Sequence, residues 1–198
     1  METETPVQEA RFMLSNARRL AADYVRRTVL PGDTVVDATM GNGHDTLFLC
    51  GLVGENGRVY AFDVQPEALA STGARLEQAH MRGRATLLQA GHETMERHVE
   101  GQPSAVMFNL GWLPGAAHGV TTKVETTLAA AQAALRLIMP GGIVTLCMYP
   151  GHEEGDRERM ALVSWAKALP VRSFSVLHHV FPNAPDRTPQ LLLIQKNR

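Results

Sequence analysis

Short β-branched and apolar runs alternate with longer stretches of helical character along almost the whole chain. Residues 34–39, 58–63, 85–89, 105–110, 143–149, 174–181 and 191–195 read as strands, each bounded by glycine, proline or charge. Residues 8–28, 45–52, 66–80, 122–139 and 153–169 read as helices. Pro66 suits a first helical turn, and Pro140-Gly141-Gly142 stops the helix before it. Strands separated by helices imply right-handed crossovers and a doubly wound, mostly parallel sheet. The last two strands have only the proline-rich stretch 182–189 between them, so they should form an antiparallel hairpin at one edge. No repeat, low-complexity tract or composition break divides the chain. The expectation is one α/β domain over residues 1–198, with 1–30 a helical segment packed on its core.

Composition narrows this picture modestly. Of the 198 residues 44% are hydrophobic and 20% charged, which excludes a disordered or fibrous chain. Nineteen basic and 20 acidic side chains leave a net charge of −1, so bulk charge does not announce a nucleic acid. Arg11, Arg18, Arg19, Arg26 and Arg27 nevertheless crowd the first helical segment, suited to bidentate phosphate contacts or simply to a solvated helix face. Cys50 and Cys147 lie in apolar stretches without metal-ligand spacing and read as buried thiols of a reducing compartment. Residues 1–9 are polar and acidic rather than signal-like, and no run is long enough for a membrane span. A cytoplasmic protein with no membrane partner is expected, and a homodimer is left open. The 8 histidines show no metal spacing, so no metal site is expected.

Chemistry concentrates where strands end. Residues 34–46 pass from a β-branched strand through Asp37, a turn with Gly41 and Gly43, and into a helix. Glycines there let the backbone turn tightly and approach a ligand. Thr46 stands where the dinucleotide fingerprint needs a third glycine, which disfavours NAD or FAD. Asp63 closes the second strand about 20 residues after Gly43, where an acid reaches a bound ribose. An ordinary strand-to-helix turn is the competing reading.

The fourth strand ends in Asn109-Leu110-Gly111-Trp112-Leu113-Pro114-Gly115, close in spacing to the Asn/Asp-Pro-Pro-aromatic motif of amino-methyltransferases but without its prolines. The Asn109 side-chain oxygen and the Leu110 carbonyl can each accept a hydrogen bond from an amine while Trp112 stacks on a planar base. After the fifth strand, Tyr149 is placed to meet a substrate and His152 to take a proton near neutrality. His92, after the third strand, is placed beside an adenine.

These motifs together resemble one family: class I methyltransferases labelled putative rRNA methylases, among them tRNA enzymes acting on 5-aminomethyl-2-thiouridine. The resemblance rests on residues 37–46 (DATMGNGHDT), 109–115 (NLGWLPG), 121–127 (TTKVETT), Gly141-Gly142, 149–155 (YPGHEEG), Glu158, Asn183, Pro189 and 191–196. It implies the seven-stranded Rossmann-like sheet and S-adenosylmethionine as cofactor. It also implies N-methylation of the 5-aminomethyl group on the wobble uridine, with the tRNA anticodon stem-loop as partner. Asp37, Gly41, Asn42, Gly43, His44, Asp63, Gln65, Gly91 and His92 would hold the cofactor. Leu110, Gly111, Trp112, Pro114 and Gly151 would hold the modified base, and Asn109, Tyr149 and His152 would serve the chemistry. The chain departs from relatives in having Ala116-Ala117-His118 where they continue Gly-Asp-Lys, and His44 where an asparagine is common. An rRNA base or small-molecule amine is the alternative substrate. A catalytically silent adenosyl-binding module is the alternative of another class, opposed by the intact Asp37, Asp63, Asn109 and Tyr149.

Overall fold

A computed structural model describes residues 16–111 and 121–198. Five parallel strands form the frame: β1 (Thr34–Asp37), β2 (Arg58–Asp63), β3 (Ala85–Gln89), β4 (Ala105–Asn109) and β5 (Ile143–Met148). Two further strands, β6 (Phe174–His179) and β7 (Gln190–Lys196), run antiparallel. The spatial order is β3-β2-β1-β4-β5-β7-β6, so the hairpin folds back and β7 lies between β5 and β6. The chain order reverses between β1 and β4, and ligands of open α/β sheets bind at the carboxyl ends of strands beside such a reversal.

Apart from Thr145, the interiors of the central strands β1, β4 and β5 are apolar because helices cover both faces. Successive side chains point to opposite faces. Val36, Val106, Phe108, Val144 and Leu146 therefore pack under α4 (Val124–Leu137) and α5 (Glu153–Lys167). Val35, Met107, Ile143 and Cys147 meet Ala17, Ala21 and Val25 of α1 (Ala17–Thr28) and Leu49, Cys50 and Val53 of α2 (His44–Val53). The α4 face toward the sheet carries Ala130, Ala131, Ala133 and Ala134, and such small side chains let helix and sheet approach closely. The remaining helix, α3 (Pro66–Gln78), starts with proline at its first turn and covers β2 and β3.

Element boundaries depart from expectation where a side chain or turn decides them. The first helix begins at Ala17 because Asn16 caps it, its side chain accepting the Arg19 amide at 3.0 Å. The expected start at residue 8 and Arg11 lie outside the described residues. A 3₁₀ stretch at His92–Arg97 and a shorter one at Arg82–Arg84 were not anticipated. Both cysteines are free and buried, and burial pushes their thiols up to about 11 for Cys50 and about 12 for Cys147, leaving neutral, unreactive groups.

Candidate active site

The β1–α2 turn is built around glycine. Gly41 and Gly43 adopt φ of 48° and 78°, the left-handed region that side chains disfavour. A Cβ on Gly43 would also lie 2.8 Å from Thr72 Oγ1 and 2.9 Å from the Thr72 backbone, so α3 packs directly on this turn. Thr72 donates to the Gly41 carbonyl at 2.9 Å and Arg75 to the Asn42 carbonyl at 2.7 Å. Across the turn, the Asp63 carboxylate at the end of β2 accepts the Gly41 and Gln65 amides, each at 3.0 Å. Backbone groups thus hold this carboxylate in one orientation, and each oxygen retains a lone pair for a further donor.

The other half of the site is held by side chains. Asn109, at the end of β4, receives the Tyr149 hydroxyl on Oδ1 at 2.8 Å and extends Nδ2 to Asp45 Oδ2 at 3.4 Å. Its backbone amide donates to Thr39 Oγ1 at 2.7 Å. Asp45 in turn pairs with Arg18 of α1 at 3.1 Å. Burial raises the Tyr149 phenol to about 12, assisted by Cys147, so it remains a donor at neutral pH. Behind Asn109, the Gly111 amide donates to Thr122 Oγ1 at 3.0 Å. Thr122 and Thr127 donate their hydroxyls to the buried Glu158 at 3.0 and 2.6 Å. Burial drives the Glu158 pKa upward against those two hydrogen bonds.

Between the halves lies a cavity of about 690 Å³, within the range of small-molecule sites. Of the expected cofactor residues, Gly41, Asn42, His44, Asp63, Gln65, Gly91 and His92 line it. So do Asn109, Leu110, Gly111, Tyr149 and His152. Three expected contacts do not. Asp37 is 1% exposed beneath the turn, where it accepts the Thr46 hydroxyl at 2.6 Å and the Thr39 amide at 3.2 Å. Burial and the neighbouring charge of Asp45 raise its pKa to about 7. Asp37 therefore ties strand to helix rather than facing a ligand. Gly43 is buried against Thr72, and Gly151 is exposed outside the cavity near Arg187. Trp112 and Pro114 lie outside the described residues, as do positions 116–118.

Both histidines that were expected at the site line the cavity, and each has a ring nitrogen engaged by the backbone. His92 is buried, with Nδ1 on the Ala38 carbonyl at 3.2 Å, and burial lowers its pKa. It is a neutral ring whose Nε2 is an acceptor. His152 caps α5, its Nδ1 accepting the Gly155 amide at 3.1 Å. The same ring also lines the cavity. Sequence reasoning missed Asp45 as a wall residue, together with Thr39, Glu93 and Lys123. Asp45 directly follows His44 in the quoted motif, but nothing in linear order shows that the first turn of α2 faces the end of β4.

Comparison with known proteins shows the family. The family model described as "Putative rRNA methylase" matches residues 59–195. The chain belongs to this family. The rRNA methylase family relatives include a structure from Clostridium thermocellum titled a putative rRNA-methylase, 40% identical with a TM-score of 0.91, covering 93% of this chain and 99% of that one. A Streptococcus mutans protein described as a putative methyltransferase, solved in complex with SAH, is 34% identical with a TM-score of 0.85 and the same coverage, 93% and 99%. A curated Arabidopsis thaliana protein named tRNA (mnm(5)s(2)U34)-methyltransferase, chloroplastic, is 36% identical over 184 residues, 88% of this chain and 67% of that protein. The fold is thus that of class I S-adenosylmethionine-dependent methyltransferases, and the family expectation of the sequence stands. Among the described residues no helix is long and apolar enough to cross a membrane, and no cluster of potential metal ligands occurs.

Proposed function

We propose that the protein methylates the 5-aminomethyl nitrogen of the wobble 2-thiouridine in tRNA, using S-adenosylmethionine held in the cavity. The observation that carries this reading is the Asn109–Tyr149 pair, 2.8 Å apart, opening into the same cavity as Asp63. The name of the 36% identical Arabidopsis thaliana relative supports the substrate. The tRNA anticodon stem-loop is the RNA element that presents this base, and tRNA in the cytoplasm is its natural source.

The lining fits the cofactor. Asp63 offers carboxylate oxygens to ribose hydroxyls, with Gln65 beside it. His92 presents a neutral ring, and Ala38, Met40, Phe62 and Leu110 provide apolar surface for a purine. The cofactor supplies an electrophilic methyl group on a sulfonium, so no covalent protein nucleophile is required. The chain's own contribution is positioning. Asn109 Oδ1, already oriented by the Tyr149 hydroxyl, keeps a second lone pair for an N–H of the amine. The Gly111–Thr122–Glu158 chain of hydrogen bonds fixes the backbone that follows Asn109.

Incubating the protein and S-adenosylmethionine with bulk tRNA arrested at the 5-aminomethyl stage, followed by nucleoside mass spectrometry, tests the reading. Appearance of 5-methylaminomethyl-2-thiouridine is the expected result. Unchanged tRNA alongside intact cofactor binding would transfer the assignment to an rRNA base or a small amine.

A further inference from the structure

We propose that Asp45 is a catalytic residue of the acceptor site: its carboxylate takes one N–H of the substrate amine beside Asn109 and stabilises the positive charge that arrives on the nitrogen. This rests on the reaction proposed above. Asp45 sits in the first turn of α2, and its side chain is 22% exposed where it lines the cavity. Its Oδ1 faces Arg18 at 3.1 Å. Its Oδ2 faces Asn109 Nδ2 at 3.4 Å, a long contact that leaves this oxygen able to take a better donor.

Stereochemistry gives the first argument. A neutral primary amine has two N–H bonds, one carbon substituent and one lone pair in tetrahedral array. Asn109 Oδ1 alone would anchor the nitrogen yet leave it free to rotate. A second acceptor within reach of the same nitrogen fixes both N–H bonds, and the lone pair then has one remaining direction. Asp45 Oδ2 lies 3.4 Å from Asn109 Nδ2, while Tyr149 engages the other side-chain atom, Oδ1, and all three residues line the cavity.

Charge gives the second. As the N–CH₃ bond forms, the S–CH₃ bond breaks, its electron pair stays on sulfur, and the positive charge passes to nitrogen. The proton shed beforehand by the ammonium form leaves to water. Any oxygen could accept an N–H, but an anion favours the arriving charge more strongly than a neutral carbonyl does, and preorganised charge is usually the largest lever a site has. Among the described residues, the acidic ones lining the cavity are Asp45, Asp63 and Glu93. Asp63 is held by the β1–α2 turn and Glu93 follows β3, whereas Asp45 contacts Asn109 itself. Charged and titratable groups facing Asp45 are Arg18 from α1, Asp37 from β1, His44 on α2, and Cys147 and Tyr149 of the β5 end.

The test uses the full chain, Asp45→Asn and Asp45→Glu. The probes are an anticodon stem-loop RNA bearing 5-aminomethyl-2-thiouridine and the same RNA with plain uridine. Wild type should bind the aminomethyl RNA more tightly, and Asp45→Asn should reduce that preference to about twofold or less, since a charge-assisted contact is lost. Its single-turnover rate should fall roughly 30-fold or more. The carboxylate holds the ammonium pKa up, so its removal should move the alkaline-rising limb of the rate about one pH unit lower. S-adenosylhomocysteine affinity should be unchanged, and Asp45→Glu should retain the preference. An Asp45→Asn protein with wild-type preference and pH limb would overturn the proposal while leaving the reaction intact. Lost S-adenosylhomocysteine affinity with preference retained would overturn it too, giving Asp45 to the cofactor's own ammonium. If Asp45→Asn fails to fold, loss of preference in a folded Asp45→Glu overturns it. A wild type that transfers no methyl group to the amine defeats the reaction and this role together.

Discussion

The two halves of the cavity are built by different means. On the β1–β2 side the functional carboxylate is gripped by main chain: Asp63 accepts the Gly41 and Gln65 amides, while Thr72 and Arg75 tie the turn to α3. On the β4–β5 side the functional amide is gripped by side chains: Tyr149, Asp45 and, one step removed, Arg18. A main-chain cradle depends on glycine conformation and helix packing, so it changes little when single side chains change. A side-chain network depends on each member and can be retuned residue by residue. On the proposed assignment, the half that meets the cofactor is the one built from main chain, and the half that selects the substrate is the one built from side chains.

If that division is real, mutations on the two sides should separate cleanly. The largest effect belongs to Asn109→Ala, which removes the amine acceptor: kcat for methyl transfer should fall about 100- to 1,000-fold, the scale of losing one preorganised group, read by single-turnover kinetics. Asp63→Ala should instead act on binding, weakening S-adenosylmethionine by about 1.5–3 kcal/mol if ribose hydrogen bonds are lost, read by calorimetry. Gly43→Ala attacks the cradle itself. Its φ of 78° and the Cβ contact with Thr72 at 2.8 Å should destabilise the fold by about 1–3 kcal/mol, seen as a lower urea midpoint. Tyr149→Phe removes one hydrogen bond from Asn109 and should slow transfer by a factor of about 2–12, with binding unaffected.

Beneath the cradle, stability itself should depend on pH. Asp37 has its pKa raised from 3.8 to about 7 in the folded protein by burial and by Asp45. Between those values the native state holds the proton that the unfolded chain has released. The contribution of Asp37 is therefore most favourable below about pH 4 and is lost as pH rises toward 7. Asp37→Asn mimics the protonated carboxyl, and the Thr46 hydroxyl can turn to accept from its amide. The difference in urea midpoint between variant and wild type should grow in the variant's favour from pH 4 to 7. A constant difference would show that Asp37 is ionised throughout.

The same division governs what was legible in the sequence. The strand and helix order, the parallel core and the terminal hairpin follow from local apolar runs and punctuation, which sequence displays directly. The main-chain half was readable in its backbone: Gly41 and Gly43 take the left-handed conformations of the expected tight turn, and Asp63 closes β2, although Gly43 packs on α3 instead of lining the cavity. The side-chain half was readable only in part. Asn109 and Tyr149 announced themselves at strand ends, but their contact spans 40 positions, and the Asp45–Asn109 approach spans 64. Such pairings depend on the strand order, which places β4 between β1 and β5. Asp37 misled for the opposite reason. Its position at a strand end was read correctly, but whether it faces ligand or helix depends on Thr46 packing over it.

The most direct test is the affinity of S-adenosylhomocysteine for an Asn109→Ala protein that has lost turnover, measured by titration calorimetry. A dissociation constant within about twofold of wild type is expected if Asn109 serves the acceptor half, because breaking its contacts leaves the main-chain cradle untouched. A weakening of tenfold or more would contradict the division and make the cavity a single, mutually dependent site.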